Sequence, residues 1–309
     1  MIGPGAQAAS PRLRLQADGV LVAITAVWGT TFVVVKDALG RADPFTFMAL
    51  RFGLGALAAT ALSGTQLRHP GVVRSGLILG ALLFVGFALQ TMGLVYTSEA
   101  RSAFITGLAV VLVPLVSFAL FRRLPQVPSL IGVGLAFVGL RVLTGGEVDP
   151  ATDGSTRLGD LLTLGCAVSF AGHIALTEKF AADVPALALV AVQLWVVAIL
   201  AAASVSFVQV RLEWGMPLAA AVIFCGLVAS TGCIALQTWA QARTTAVRAA
   251  LVFSLEPVFA TLVSVALGRE ELDAREVVGG SLTVLAVVVA ELGNLLSVRR
   301  TRPSRPWER

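Results

Sequence analysis

Charge is what this chain has least of. Asp, Glu, Lys and Arg make up 13% of its 309 residues against 57% that are apolar, and the mean hydropathy is +0.87. A water-soluble domain carries about 25% charged residues, so the deficit excludes one and makes lipid the solvent. Cysteine is scarce too. Cys166, Cys225 and Cys233 stand alone, with no CxxC or Cys/His ligand spacing, which leaves no basis for a disulfide framework or a metal site. No GxxxxGK[ST] phosphate loop is present, so direct ATP hydrolysis is not expected. Paired carboxylates or a Ser/His constellation, which a membrane enzyme acting on lipid-linked substrates would need, are also missing. We therefore expect no catalytic residues and no cofactor. The net charge of +5 sits in loops and at the C-terminus, which argues against nucleic acid as a partner. Residues 1–17 lack a charged segment leading directly into an apolar run with a small-residue cleavage site, so the first helix is expected to remain as an anchor.

Long apolar runs are what the chain does have. A bilayer core of roughly 30 Å needs about 20 apolar residues per helix, and ten such stretches are legible, near 19–35, 45–62, 75–96, 99–121, 126–143, 158–179, 186–208, 216–241, 246–267 and 277–298. The second half repeats the first. A shift of 147 places Ala88-Leu89-Gln90-Thr91 on Ala235-Leu236-Gln237-Thr238 and Arg101 on Arg248, and nearer the N-terminus a shift of 141 places Asp37 on Glu178 and Pro44 on Pro185. The expected fold is all-α and polytopic, with ten transmembrane helices in a 5+5 arrangement. An odd number of spans per repeat forces the second copy into the membrane upside down, giving an inverted repeat. The expected segments are a tail at 1–18, a first repeat at 19–143, a polar linker at 144–157 rich in glycine, a second repeat at 158–298 and a basic tail at 299–309. Alternating loops hold fourteen Lys and Arg on the side of the termini and eight on the other. The positive-inside rule then puts both termini in the cytoplasm of an inner (plasma) membrane protein.

The run Ala26-Val27-Trp28-Gly29-Thr30-Thr31-Phe32, followed by Asp43-Pro44 and Ala49-Leu50-Arg51-Phe52, resembles the first two helices of EamA-type members of the drug/metabolite transporter superfamily. In the second half Leu255-Glu256-Pro257-Val258-Phe259-Ala260, Leu267-Gly268-Arg269-Glu270-Glu271-Leu272 and Gly279-Gly280 resemble that family's ninth and tenth helices. The resemblance implies a ten-helix inverted-repeat carrier, usually an exporter of amino acids, their analogues, nucleosides or other small metabolites. After the fourth helix, Arg122-Arg123-Leu124-Pro125 replaces the glycine and glutamate usual there.

Ionisable groups at membrane depth are expensive and mark partners or watery cavities. Arg51, two turns into the second span, either snorkels and caps carbonyls or binds a substrate carboxylate or Glu256. Glu256 precedes Pro257, whose missing N–H leaves a carbonyl unpaired one turn back; it either locks two helices together or serves substrate and proton in a cavity. His173, mid-way along the sixth span, pairs with Phe32 under the shift of 141 and is either a satisfied packing residue or a titrating group. Gln90 and Gln237 occupy equivalent places in the third and eighth spans, and serve either interhelix bonding or a shared cavity. Trp28 and Thr31 share a helical face, suited to a stacking and hydroxyl contact or to packing. Glycines such as Gly76 with Gly80, Gly53 with Gly55, and Gly132 with Gly134 allow close helix approach. Glu178, Lys179, Asp183, Asp37, Asp43, Glu270 and Glu271 read as solvated loop or helix-end charges.

The expected function is secondary active transport of a small metabolite through a central site between the repeats, driven by a proton or sodium gradient or running downhill. A passive channel is the alternative, and a membrane enzyme a more remote one. Substrate, direction and oligomeric state are not legible.

Overall fold

In the computed structural model the described residues are 11–97, 99–122, 125–143, 154–268 and 274–300, and they are overwhelmingly helical. The first rod, α1 (Pro11–Leu39), begins eight residues before the apolar run and so takes in much of the expected tail. After it come α2 (Pro44–Ser63), α3 (Val72–Tyr96), the broken rod α4 (Glu99–Gly107) and α5 (Ala109–Phe121), and α6 (Val127–Leu143). The second half supplies α7 (Gly154–Phe180) and α8 (Ala186–Ser204), then one rod made of α9 (Met216–Ile223), a π-helical turn (Phe224–Gly232) and α10 (Cys233–Gln241). It ends with the broken rod α11 (Ala246–Phe253) and α12 (Glu256–Ala266), and with α13 (Ala274–Arg300). Of the expected linker, residues 154–157 belong to α7, while 144–153, Glu270, Glu271 and residues 301–309 lie outside the described residues.

Eight of these rods are long and apolar enough to cross a bilayer. Two shorter apolar helices, Val127–Val142 and Val277–Ala290, accompany them; at 1.5 Å per residue the first reaches only about 24 Å. The two short helices are each other's main partners. Outward surfaces are apolar, as lipid requires: Leu62, Leu115, Leu161, Ile199 and Met216 are each at least 60% exposed.

Helix pairing follows the sequence repeat. The principal contacts are α6 with α13, α2 with α8, α3 with α7 and with α8, α1 with α12 and with α10, α2 with the π turn, and α5 with α7. Replacing each rod by the one five places along leaves this set unchanged. The local breaks obey the same exchange. The fourth rod is interrupted at Leu108 and the ninth at Ser254–Leu255, and Leu108 plus 147 is Leu255. Pro114 lies inside α5 and does not cause the first break.

Several charges read as solvated are structural. Asp43 is buried, caps α2 by accepting from Thr46 N–H at 2.9 Å, and accepts from Arg211 N–H at 3.1 Å. Glu178 accepts from Ala246 N–H at the start of α11, 2.8 Å. In both cases a carboxylate satisfies orphan N–H groups at a helix N-terminus, where the dipole also favours it. Gly76 and Gly80 bring α3 onto Val192 and Val196 of α8, whereas Gly53 and Gly134 face open space.

Candidate functional site

A cavity of about 80 Å³ opens between the two halves, room for several waters at about 10 to 15 Å³ each. Trp28 and Thr31 of α1, Phe87 and Gln90 of α3, and Thr106 of α4 line it from one half; Phe170 and His173 of α7, Gln237 of α10, Phe253 of α11 and Glu256 of α12 line it from the other. Six residues singled out in the sequence, Trp28, Thr31, Gln90, His173, Gln237 and Glu256, thus share one space. Arg51 does not.

Each lining side chain is held by a local cause. Gly29, beside Trp28, presses α1 onto α12: a Cβ there would stand 2.6 Å from Phe259 Cβ and 2.9 Å from Ala260 N. Trp28 donates its indole N–H to Ala229 O at 2.9 Å, a carbonyl of the π turn, whose altered hydrogen-bond pattern frees backbone groups for side-chain partners. The repeat-related bond runs from Ser169 Oγ to Leu82 O at 2.7 Å, since Ser169 is Trp28 plus 141 and Ala229 is Leu82 plus 147. Thr31 Oγ1 donates to Trp28 O, 2.7 Å.

The buried amides form short relays. His173 is buried, with Nε2 2.8 Å from Gln193 Oε1. Gln193 donates through Nε2 to Leu189 O at 3.3 Å, which orients the amide so that its oxygen accepts from the ring. Gln237 Nε2 donates to Gln241 Oε1 at 2.8 Å, and Gln241 Nε2 donates to Ile174 O at 3.0 Å; the terminal carbonyl again sets the direction. Gln90 Nε2 donates to Thr106 Oγ1, 3.2 Å. Sequence reasoning missed Gln193 and Gln241. Gln193 is twenty residues beyond His173, as Phe52 is beyond Phe32, so the second copy has a polar pair where the first has two phenylalanines.

Glu256 begins α12 directly after the break in its rod, with Pro257 next to it. No hydrogen bond or ion pair reaches its carboxylate from the described residues. Its counterpart under the shift of 147 is Ala109. Arg51 is not its partner. The Arg51 guanidinium is buried and packed over the rings of Phe47, Phe52 and Phe87 at 5.3, 4.3 and 4.8 Å, and its Nε has no partner. The backbone holds it away from the cavity: a Cβ at Gly226 in the π turn would lie 2.6 Å from Arg51 O, so α2 and the π turn meet backbone to backbone. Among the described residues no group of three His, Cys, Asp or Glu side chains could hold a metal, and Cys166, Cys225 and Cys233 are free and buried.

Ion pairs stand at the two ends of the molecule. Where α1 begins, Arg248 of α11 pairs with Asp18 at 2.9 Å, each side chain 15% exposed. At the opposite end Arg101 of α4 pairs with Asp160 of α7, and Thr97 Oγ1 donates to Asp160 Oδ1 at 3.1 Å. Arg101 plus 147 is Arg248, and the acids lie on the rods that the exchange relates, Asp18 plus 141 falling on Gly159, one residue before Asp160. Glu256 lies eight residues, about 12 Å, along its rod from Arg248, and His173 thirteen residues, about 20 Å, from Asp160.

The EamA-like transporter family model matches the chain twice, over residues 17–145 and 157–291. The chain belongs to that family. A protein of Archaeoglobus fulgidus described as an uncharacterized transporter is 32% identical over 280 residues, 90% of this chain and 87% of that one. The uncharacterized transporter YyaM of Bacillus subtilis is 28% identical over 290 residues, 88% and 92% of the two chains. A solved crystal structure with 21% identity superposes with a TM-score of 0.76, covering 93% of this chain and 99% of that chain, a likeness of fold. This EamA-like chain is an integral membrane protein of a transporter family, and the two matches fall on its two halves.

Proposed function

We propose that this EamA-like protein is a secondary active transporter that exports small metabolites such as amino acids or related organic ions. In this reading ten helices form a 5+5 inverted repeat in the inner membrane, with both termini cytoplasmic, and the halves rock so that a central site opens to each side in turn. The observation that carries it is the placement of one cavity, with polar groups contributed by both halves, between two ion pairs whose arginines exchange under the repeat. Each pair ties rods of opposite halves together at one end, so each can latch that end shut. Trp28, Thr31, Gln90, His173, Gln237 and Glu256 contact substrate, while Arg51 shapes the wall behind Phe87. A half-buried carboxylate and a buried histidine at the site suit coupling to a proton gradient.

The test is counterflow in proteoliposomes loaded with a metabolite mixture, at two pH values, for the wild type and Glu256→Gln. Saturable flux that depends on Glu256 is expected. Flux that never saturates would mark a passive channel, and no flux for any metabolite in a broad panel would end the transport reading.

A further inference from the structure

We infer that the group recognised in this cavity is a cation, a protonated amine or other small organic ammonium, and that carboxylates without an amine are rejected. The inference rests on the transport reading and specifies the substrate class of the same site.

The hydrogen-bond inventory carries it. Several donors at the cavity are committed to the protein. The Trp28 indole N–H goes to Ala229 O and the Thr31 hydroxyl to Trp28 O. His173 Nε2 faces Gln193 Oε1. Gln90 and Gln237 each spend one N–H on a neighbour, Thr106 and Gln241. Acceptors are left over: neither Gln90 Oε1 nor Gln237 Oε1 has a partner among the described residues, and neither does the Glu256 carboxylate. Gln90 and Gln237 each keep a second N–H that an occupant can accept from, but an ionised Glu256 only accepts, and an ammonium, which has N–H donors and no acceptor, meets it.

Charge and shape agree with this. Glu256 and His173 are the titratable lining groups, and among the described residues no lysine or arginine lines the space to meet an anion. Arg51 is stacked on Phe52 and Phe87 and is itself absent from the lining. The remaining wall is aromatic. Trp28 and Phe253 meet with ring centroids 5.3 Å apart, and Phe87 and Phe170 at 5.2 Å edge to face, so two ring pairs stand in the cavity wall. Rings around a carboxylate favour a cation and disfavour an anion, because the face of each ring carries the negative end of its quadrupole. Arg51 already occupies one such face of Phe87 from behind.

The experiment uses the full-length protein in lipid nanodiscs and follows displacement of 2-phenylethylamine by three compounds of similar size: 2-phenylethanol, 3-phenylpropionate and phenylalanine. The amine is expected to bind at least tenfold more tightly than the alcohol or the carboxylate, with phenylalanine retaining binding through its ammonium. These comparisons need only the wild type. Glu256→Gln is expected to remove the preference for the amine over the alcohol, and Glu256→Asp to restore part of it. Binding confined to compounds that bear a carboxylate would overturn the inference. So would equal affinity for the amine and the alcohol, or transport of other metabolites with no binding of the amine, in which case the transport reading still stands.

Discussion

The proposed latching by the two ion pairs gives the sharpest prediction. Arg248 and Asp18 meet at 2.9 Å with 15% of each side chain exposed, neither fully solvated nor fully dry. Unit charges about 4 Å apart attract by about 4 kcal/mol at an effective dielectric of about 20. Desolvation and side-chain ordering offset most of that, leaving a net contribution of about 1.5 kcal/mol, or about tenfold in the balance between the latched and open states of that end. The perturbation is Arg248→Ala, compared with Arg101→Ala at the other end, in a background with Cys166, Cys225 and Cys233 replaced by alanine and Ala109→Cys added as a reporter. Ala109 lines the cavity, so a membrane-impermeant maleimide added to sealed vesicles reads access from one side. Arg248→Ala is expected to speed labelling about tenfold from the side on which α1 begins, and Arg101→Ala from the opposite side, with both effects shrinking at high salt if the pairs are screened when they open. Acceleration from the same side by both substitutions, or no change by either, refutes the latch argument.

Arg51→Ala is expected to lower stability by about 2 to 4 kcal/mol, from lost packing among three rings, as a drop in thermal unfolding midpoint in detergent with amine affinity retained; lost affinity without lost stability would place the guanidinium in the site after all. Gly226→Val is expected to prevent folding, read as loss of the monodisperse species on size exclusion, because its Cβ falls 2.6 Å from a backbone carbonyl that cannot swing away. His173→Leu alone strands Gln193 Oε1 and should cost about 1 to 3 kcal/mol. Adding Gln193→Leu should recover part of that in a double-mutant cycle, and strictly additive costs would show that the relay is not coupled.

Much of this arrangement was legible because lipid imposes simple rules. Apolar runs near 20 residues mark the rods, and the shift of 147 that aligns Gln90 with Gln237 also aligns the breaks at Leu108 and Leu255. Trp28, Gln90, His173 and Glu256 could be singled out because polar groups at depth are rare enough to stand out one by one. Arg51 met the same criterion yet lies outside the cavity, because sequence gives depth along a rod but not the direction a side chain faces. Here three phenylalanines on two helices supply an alternative partner that spacing does not reveal. Gln193 and Gln241 were missed for a related reason: Gln193 meets His173 across a helix interface, and Gln241, one turn from Gln237 on the same helix, is oriented by the Ile174 carbonyl of another rod. Asp43 and Glu178 looked solvated because they sit at loop ends, where a carboxylate and a helix N-terminus from a distant rod meet only in three dimensions.

The two halves have kept some features alike and let others diverge, and the division follows what each feature has to do. The ion pairs, the rod breaks and the bonds from Trp28 and Ser169 to the carbonyls of Ala229 and Leu82 recur in both copies, as the proposed rocking of the two units would require, since a large imbalance between the holds at the two ends would trap one state. The cavity lies between the copies and is shared by them, so a carboxylate contributed by each would place two like charges in one small space and raise the energy of both. Only the second copy carries Glu256 and His173, where the first has Ala109 and Phe32. Placing a second acid by Ala109→Glu is therefore expected to weaken transport, measured as initial counterflow rate. Restoration of that rate by the accompanying change Glu256→Ala would show that one carboxylate per cavity is the requirement, irrespective of the half that supplies it, whereas undiminished flux with both acids present would refute the argument.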